Sequence, residues 1–242
     1  MAKTAGILII GNEILSGKVE DQNSPYLVRE LRVLGVQVQR ITTVPDEAGV
    51  IAEEVRAFAD RYDFVFATGG VGPTHDDVTI AAIAAAFGRG VVRHPLLETV
   101  LRRHYGEGIT SPQLRMAEIP EGSELVGQGE LAFPVIVLGN VYVFPGIPDA
   151  LRWKFERIRE RFREAPYILR RVFLRCDEGT IAEDLSAIQS KFPALQLGSY
   201  PILKNPDHNV MLTLESKDAE YVEQALRSLL NRLPSPAIVR VE

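Results

Sequence analysis

The chain has 242 residues, 46% of them hydrophobic and 24% charged, which suits one large domain or a medium domain with a small companion around a sizeable core. The net charge of −5, from 27 basic and 32 acidic residues, argues against nucleic-acid or anionic-membrane partners, which need basic patches. A lone cysteine excludes an internal disulfide, the apolar N-terminal run is too short for a signal peptide, and no segment approaches the roughly 20 apolar residues of a membrane span, so a cytoplasmic protein is expected.

Ala5 to Ile10 is a continuous apolar run, as expected of a strand buried on both faces. It ends in the turn Gly11-Asn12-Glu13-Ile14-Leu15-Ser16-Gly17. Ser24 and Pro25 fit an N-cap and a first helical position. Leu27, Leu31 and Leu34 share a helical face, and Gly35 is the stop. Val36 to Val44 reads as a strand. Asp46 is placed to cap a helix with Ile51, Val55, Phe58 and Tyr62 on one face. Phe64 to Ala67 is a strand feeding a glycine turn, and Ile80, Ile83, Ala84 and Phe87 mark the next helix. Apolar strands alternating with helices predict a parallel sheet with helices on both faces.

Val91-Val92 reads as a short strand, and Pro95 opens a helix with Leu97, Val100, Leu101 and a half-buried His104 on one face. Arg115 to Gly122 reads as loop with a helical turn. Val135 to Leu138 and Val141 to Phe144 flank Gly139-Asn140, a hairpin pair. After the sharp turn Pro145-Gly146-Ile147-Pro148 comes a helix with Leu151, Phe155, Ile158 and Phe162 on its core face. Near Ala165-Pro166 the pattern changes to strand, helix, two strands, helix and a final strand, a small ferredoxin-like α+β unit. Cys176 falls in its first strand and reads as a buried structural thiol. The expected domains are 1–165 and 166–242.

The chemistry concentrates in three turns that each follow an apolar strand, where parallel α/β sheets bind ligands. In the central one, Gly69, Gly70 and Gly72 let the backbone turn tightly and approach a ligand, and N–H groups of such a turn ahead of a helix form an anion site. Asp76 and Asp77 would repel a phosphate unless a divalent cation lay between, so they are candidate metal ligands, Asp76 being alternatively a helix cap. Glu13 is a candidate second ligand or general base, or simply a charge at a helix N-terminus. Thr74 and Thr79 are donors to phosphate or caps. His75 either contacts phosphate or faces solvent, and Asp21 and Asn23 either reach a ribose or shape a turn. The lysine-bearing spacing of a P-loop is absent.

Thr68-Gly69-Gly70-Val71-Gly72-Pro73-Thr74 followed by Asp76-Asp77-Val78-Thr79 resembles the molybdopterin-binding (MoaB/Mog-like) domain family, and Gly11 to Gly17 and Pro145 to Pro148 resemble its other signature turns. The combination is similar to the CinA N-terminal branch, and in particular to the molybdopterin-binding-like domain of animal FAD synthases. Leu197-Gly198-Ser199-Tyr200-Pro201 extends the resemblance into the small unit. It implies a three-layer α/β domain plus a small α+β domain. It also implies metal-dependent hydrolysis of nucleotide pyrophosphates: FAD to FMN and AMP, or ADP-ribose to ribose phosphate and AMP. Cobalt, manganese or magnesium, with potassium, would assist. Gly11, Asn12, Gly69, Gly70, Gly72, Thr74, His75, Thr79, Pro145 and Gly146 would contact substrate, and Glu13, Asp76 and Asp77 would be catalytic. A homo-oligomer is implied. Asn12 stands where the family usually carries Asp, which leaves a pterin- or nucleotide-binding module without hydrolysis as the alternative. Ala81 replaces an acidic residue of Mog-like proteins, against adenylyl transfer. Neither the deamidase domain of many CinA proteins nor the FAD-synthesising domain of the animal enzymes falls in this sequence, so neither activity is expected of it.

Overall fold

Thr4–Ile10 (β1) is buried from Ala5 onward, so it needs apolar cover on both faces of its sheet. The computed structural model describes residues 2–242. It separates into two compact units, Met1–Glu164 and Ala165–Glu242. In the larger unit β1 is followed by the single-turn helix α1 (Asn12–Leu15), α2 (Asn23–Val33), β2 (Gln37–Val44), α3 (Ala48–Arg61), β3 (Phe64–Thr68) and α4 (Thr79–Ala86). Then come β4 (Val91–Arg93), α5 (Pro95–Tyr105), α6 (Ser111–Arg115), β5 (Glu118–Pro120), β6 (Glu124–Val126), β7 (Val135–Leu138), β8 (Val141–Phe144) and α7 (Pro148–Ile158).

The main sheet runs β2-β1-β3-β8-β7-β6. β2, β1, β3 and β8 are mutually parallel, and β7 and β6 add antiparallel through the hairpin at Gly139. Alternation along β1 then sorts the core. Leu8 and Ile10 pack with Ile51, Val55 and Phe58 of α3, Ile83 of α4 and Leu97 of α5. Ile7 and Ile9 pack on the other face with Leu27 and Leu31 of α2 and with Leu151 and Phe155 of α7. This is the three-layer, parallel-rich arrangement read from the apolar strands. Because β1, β3 and β8 are adjacent and parallel, their C-terminal ends deliver all three turns to one edge.

The smaller unit contains β9 (Ile168–Leu174), α8 (Glu178–Lys191), β10 (Gln196–Pro201), β11 (Val210–Ser216), α9 (Ala219–Leu230) and β12 (Ile238–Val241). Its antiparallel sheet has the order β10-β11-β9-β12, the split arrangement of a ferredoxin-like fold.

Several local expectations are corrected. Asn23, Ser24 and Pro25 lie inside α2, whose exposed N–H groups are served by Asp21: its carboxylate accepts from the N–H of Asn23 (2.9 Å) and of Ser24 (3.0 Å). Asp46 caps no helix of its own; it accepts from the N–H of Asn12 at 2.8 Å and so seats α1 against the end of β2. Asp76 is not an N-cap either, since α4 begins at Thr79. His104 is exposed, its ring edge-on to Tyr105, because the apolar stripe of α5 turns on Leu97 and Leu101 alone. Residues 118–120 form a strand with β4, not a loop. Cys176 lies beyond the end of β9 and is half-buried. Among the described residues no helix is long and apolar enough to cross a membrane.

Candidate active site at the strand ends

The three turns meet at Gly69. Its φ is +106°, and a Cβ there would fall 2.0 Å from the carbonyl oxygen of Ile10, the residue before the first turn. On its other side, a Cβ on Gly146 would lie 3.4 Å from the Gly69 Cα. Only a residue without a side chain lets three backbones approach so closely. Asn23 fastens the junction: its Nδ2 donates to the Gly146 carbonyl (2.8 Å) and to the Thr68 hydroxyl (3.1 Å), which itself donates to the Pro145 carbonyl (2.8 Å). Asn23 is buried, and its Oδ1 has no partner among the described residues. It therefore shapes the turns rather than standing free to reach a ribose.

The central turn is fixed from below. The fully buried Thr79 donates its hydroxyl to the Gly69 carbonyl at 2.8 Å and its N–H to the Gly70 carbonyl at 3.1 Å, so its hydroxyl proton is already committed. The N–H of Gly69 bonds the Phe144 carbonyl. The N–H groups of Gly70, Val71 and Gly72 have no acceptor among the described residues. Successive free amides on a glycine turn are the elements of an anion site. Past them, Asp77 turns back on its own loop, accepting from the Thr74 N–H at 2.8 Å and from the Thr74 hydroxyl. Asp76 is exposed, and its carboxyl is held below the usual carboxylate range first by the Thr74 hydroxyl, then by its own backbone N–H and by His75. His75 projects into solvent.

Beside this turn opens a cavity of about 880 Å³, within the range of small-molecule sites. Gly72, Thr74, His75, Asp77 and Pro145 line it, whereas Gly11, Asn12, Glu13, Gly69, Gly70, Asp76, Thr79 and Gly146 do not. Asn12 and Glu13 are exposed on α1, with the Glu13 carboxylate folded back within 2.6 Å of where a Gly11 Cβ would stand. Val100, Leu101, Met116, Phe133 and Ile136 add apolar surface to its lining. Arg115, also on the wall, donates to the Pro73 carbonyl (3.2 Å) and holds the loop from the α6 side.

Sequence reasoning missed Lys154. It lines the cavity from α7, its ammonium lying 4.8 Å from the centre of the Phe133 ring and 3.3 Å from the Pro134 carbonyl. Burial pushes its pKa down to about 8. The signal was present: position 154 falls between Leu151, Phe155 and Ile158 on the core-facing stripe of its helix, where a lysine is out of place.

No three carboxylate, imidazole or thiol groups converge among the described residues. The oxygen donors of Asp76, Asp77 and Thr74 are of the kind a hard divalent cation takes, and they number too few to enclose one.

An α/β domain with three glycine-bearing turns meeting at adjacent parallel strand ends defines a class of ligand-binding protein, and comparison with known families specifies it. The model of the family described as "Probable molybdopterin binding domain" matches residues 6–164, and the chain belongs to that family. Residues 166–242 match the family described as "FAD synthase, middle domain". Among curated relatives, a protein of Archaeoglobus fulgidus is 36% identical over 222 residues, covering 91% of this chain and 94% of its own. A probable FAD synthase of Caenorhabditis elegans is 31% identical over 255 residues, covering 94% of this chain; the chain spans 49% of that relative's length. The crystal structure of a CinA protein from Thermoplasma acidophilum, 28% identical, superposes on 66% of this chain and 98% of its own with a TM-score of 0.62. The resemblance read from the turns is thereby borne out, as is the fold.

Proposed function

We propose that the chain hydrolyses the pyrophosphate bond of a nucleotide such as FAD, giving FMN and AMP, or ADP-ribose, giving ribose phosphate and AMP. The observation that supports this reading most is the adjacency of two features: free amides at Gly70, Val71 and Gly72, and a cavity lined by Val71 and Gly72 together with apolar side chains such as Leu101, Met116 and Phe133. One suits a phosphate and the other a flat ring, and a dinucleotide carries both. The match of the smaller unit to the FAD synthase middle domain supports the choice of flavin nucleotide.

In this reading the amides of residues 70–72 hold phosphate oxygens, and Pro145, in the turn fixed by Asn23 and Thr68, lines the cavity beside them. Asp77, with Asp76, would hold a divalent ion of the cobalt, manganese or magnesium type, which would supply positive charge against the phosphate oxygens. Glu13, on the neighbouring turn and outside the cavity lining, is the base assigned to the attacking water in this reading. Incubating the chain with FAD or ADP-ribose and each metal, then separating nucleotides, tests it: FMN or ribose phosphate should appear with equimolar AMP. Absence of AMP with every metal overturns hydrolysis.

The second reading, a pterin- or nucleotide-binding module without turnover, is favoured by the engagement of Asp77 with its own loop and by the neutral Asn12. Calorimetry with FAD, ADP-ribose and molybdopterin beside the turnover assay separates the two. Binding without product selects the module.

A further inference from the structure

We propose that Lys154 is the cation that receives the phosphate charge of a nucleotide diphosphate diester inside the cavity, and so sets the site's preference for anionic ligands; this rests on the reading that the cavity holds a nucleotide. Of the charged and titratable groups lining the cavity, three are engaged by other residues. Glu118 pairs with Arg93 at 3.2 Å, Asp77 accepts from Thr74, and Arg115 is exposed and anchored on the Pro73 carbonyl. Arg103 and His104 of α5 are exposed at the wall, as is His75 on the loop. Lys154 is different: it is half-buried and, among the described residues, no carboxylate lies within ion-pair distance of it.

A desolvated ammonium with only a carbonyl and an aromatic face for company is an unfavourable arrangement for a folded chain to keep. Its depressed pKa, about 8, reflects that desolvation. The arrangement becomes favourable when an anion enters, because a lysine paired with phosphate in a dry cavity makes a charge-assisted hydrogen bond. The Phe133 face below it holds the ammonium in place without neutralising it. Gly72 of the amide turn lines the same cavity, so the amides and the lysine would both be available to one diphosphate.

The test is calorimetric binding of ADP-ribose, whose diphosphate keeps a fixed charge near neutrality, in chelator at pH 7 and pH 9. Wild type, Lys154→Met and Lys154→Arg are compared. Wild-type affinity should fall as pH rises through about 8, where the free amine loses its proton. Lys154→Met should bind at least about tenfold more weakly at pH 7, with no change to pH 9, and should melt no lower than wild type. Lys154→Arg should keep its affinity at both pH values, because guanidinium does not titrate there. Wild-type affinity in Lys154→Met, a pH slope in Lys154→Arg as steep as the wild type's, or no ADP-ribose binding by wild type overturns the proposal. If wild type binds with this pattern but never turns over, hydrolysis fails and the role of Lys154 stands. If wild type hydrolyses while Lys154→Met binds equally well, the reverse holds.

Discussion

Replacing Asn23 tests how the three turns are held together. Its Nδ2 makes two hydrogen bonds in a buried setting, to the Gly146 carbonyl at 2.8 Å and the Thr68 hydroxyl at 3.1 Å. Each contributes about 0.5–1.5 kcal/mol, and a buried carbonyl left without a donor costs about 1–3 kcal/mol. Against this, Asn23→Ala also removes an Oδ1 that is buried without a partner, a gain of about 1 kcal/mol. Thr68 keeps its bond to Pro145. The net expected loss for Asn23→Ala is roughly 2–3 kcal/mol. Asn23→Asp has the same shape but sets an oxygen against the Gly146 carbonyl oxygen, with no cation beside it, so it should lose more, about 3 kcal/mol or above at pH 7. The sign of its pH dependence follows. The new carboxyl has a raised folded pKa, so its penalty is largest at neutral pH and shrinks as pH falls and a protonated oxygen can donate to Gly146. Urea unfolding followed by circular dichroism at pH 7 and pH 5 measures both. If Asn23→Asp is as stable as wild type at pH 7, or is more damaged at pH 5 than at pH 7, the reasoning is wrong.

Gly69→Ala should be severe, above about 3 kcal/mol, because its Cβ would meet the Ile10 carbonyl at 2.0 Å and its φ is +106°; poor recovery of folded protein or a large fall in melting temperature checks this. For Lys154, the folded pKa of about 8 lies below the unfolded 10.5, so the unfolded chain binds more protons between these values and stability should rise by roughly 3 kcal/mol from pH 8 to 10.5. Unfolding curves for wild type and Lys154→Met should therefore converge at high pH. Asp63 accepts from the Thr4 N–H (2.8 Å) and from Lys3, and its carboxyl is held below the usual range, first by that backbone bond. Asp63→Asn should cost about 1 kcal/mol or less near neutrality, since the carboxylate is partly exposed. The difference should vanish as pH falls below the ordinary carboxylate range, seen as converging urea midpoints.

The sheet and the three turns were legible because their causes are local. Apolar runs such as Ala5 to Ile10 announce buried strands, and Gly69 and Gly70 carry the positive φ that the turn needs. The caps were misassigned because Ser24 and Asp46 satisfy the local pattern, while the groups that reach the orphan N–H groups were settled by tertiary placement: Asp21 on α2 and Asp46 on α1. The two-stranded β4–β5 sheet was partly missed because a strand of three residues leaves little periodicity to read. The cavity was illegible as a whole. Its walls come from the 71–78 loop, α5, α6, residues 132–136 and α7, and no local spacing links them. Lys154 alone left a trace, a cation at an apolar position of a helical stripe.

The central claim is tested most directly by initial rates of FAD and ADP-ribose hydrolysis for wild type, Asp76→Ala and Asp77→Ala, each with cobalt, manganese or magnesium and again after chelation. Wild type should release AMP in a metal-dependent way, and each variant should lose at least about 100-fold in rate. Full activity in both variants, or a wild-type rate that chelator leaves unchanged, would contradict it.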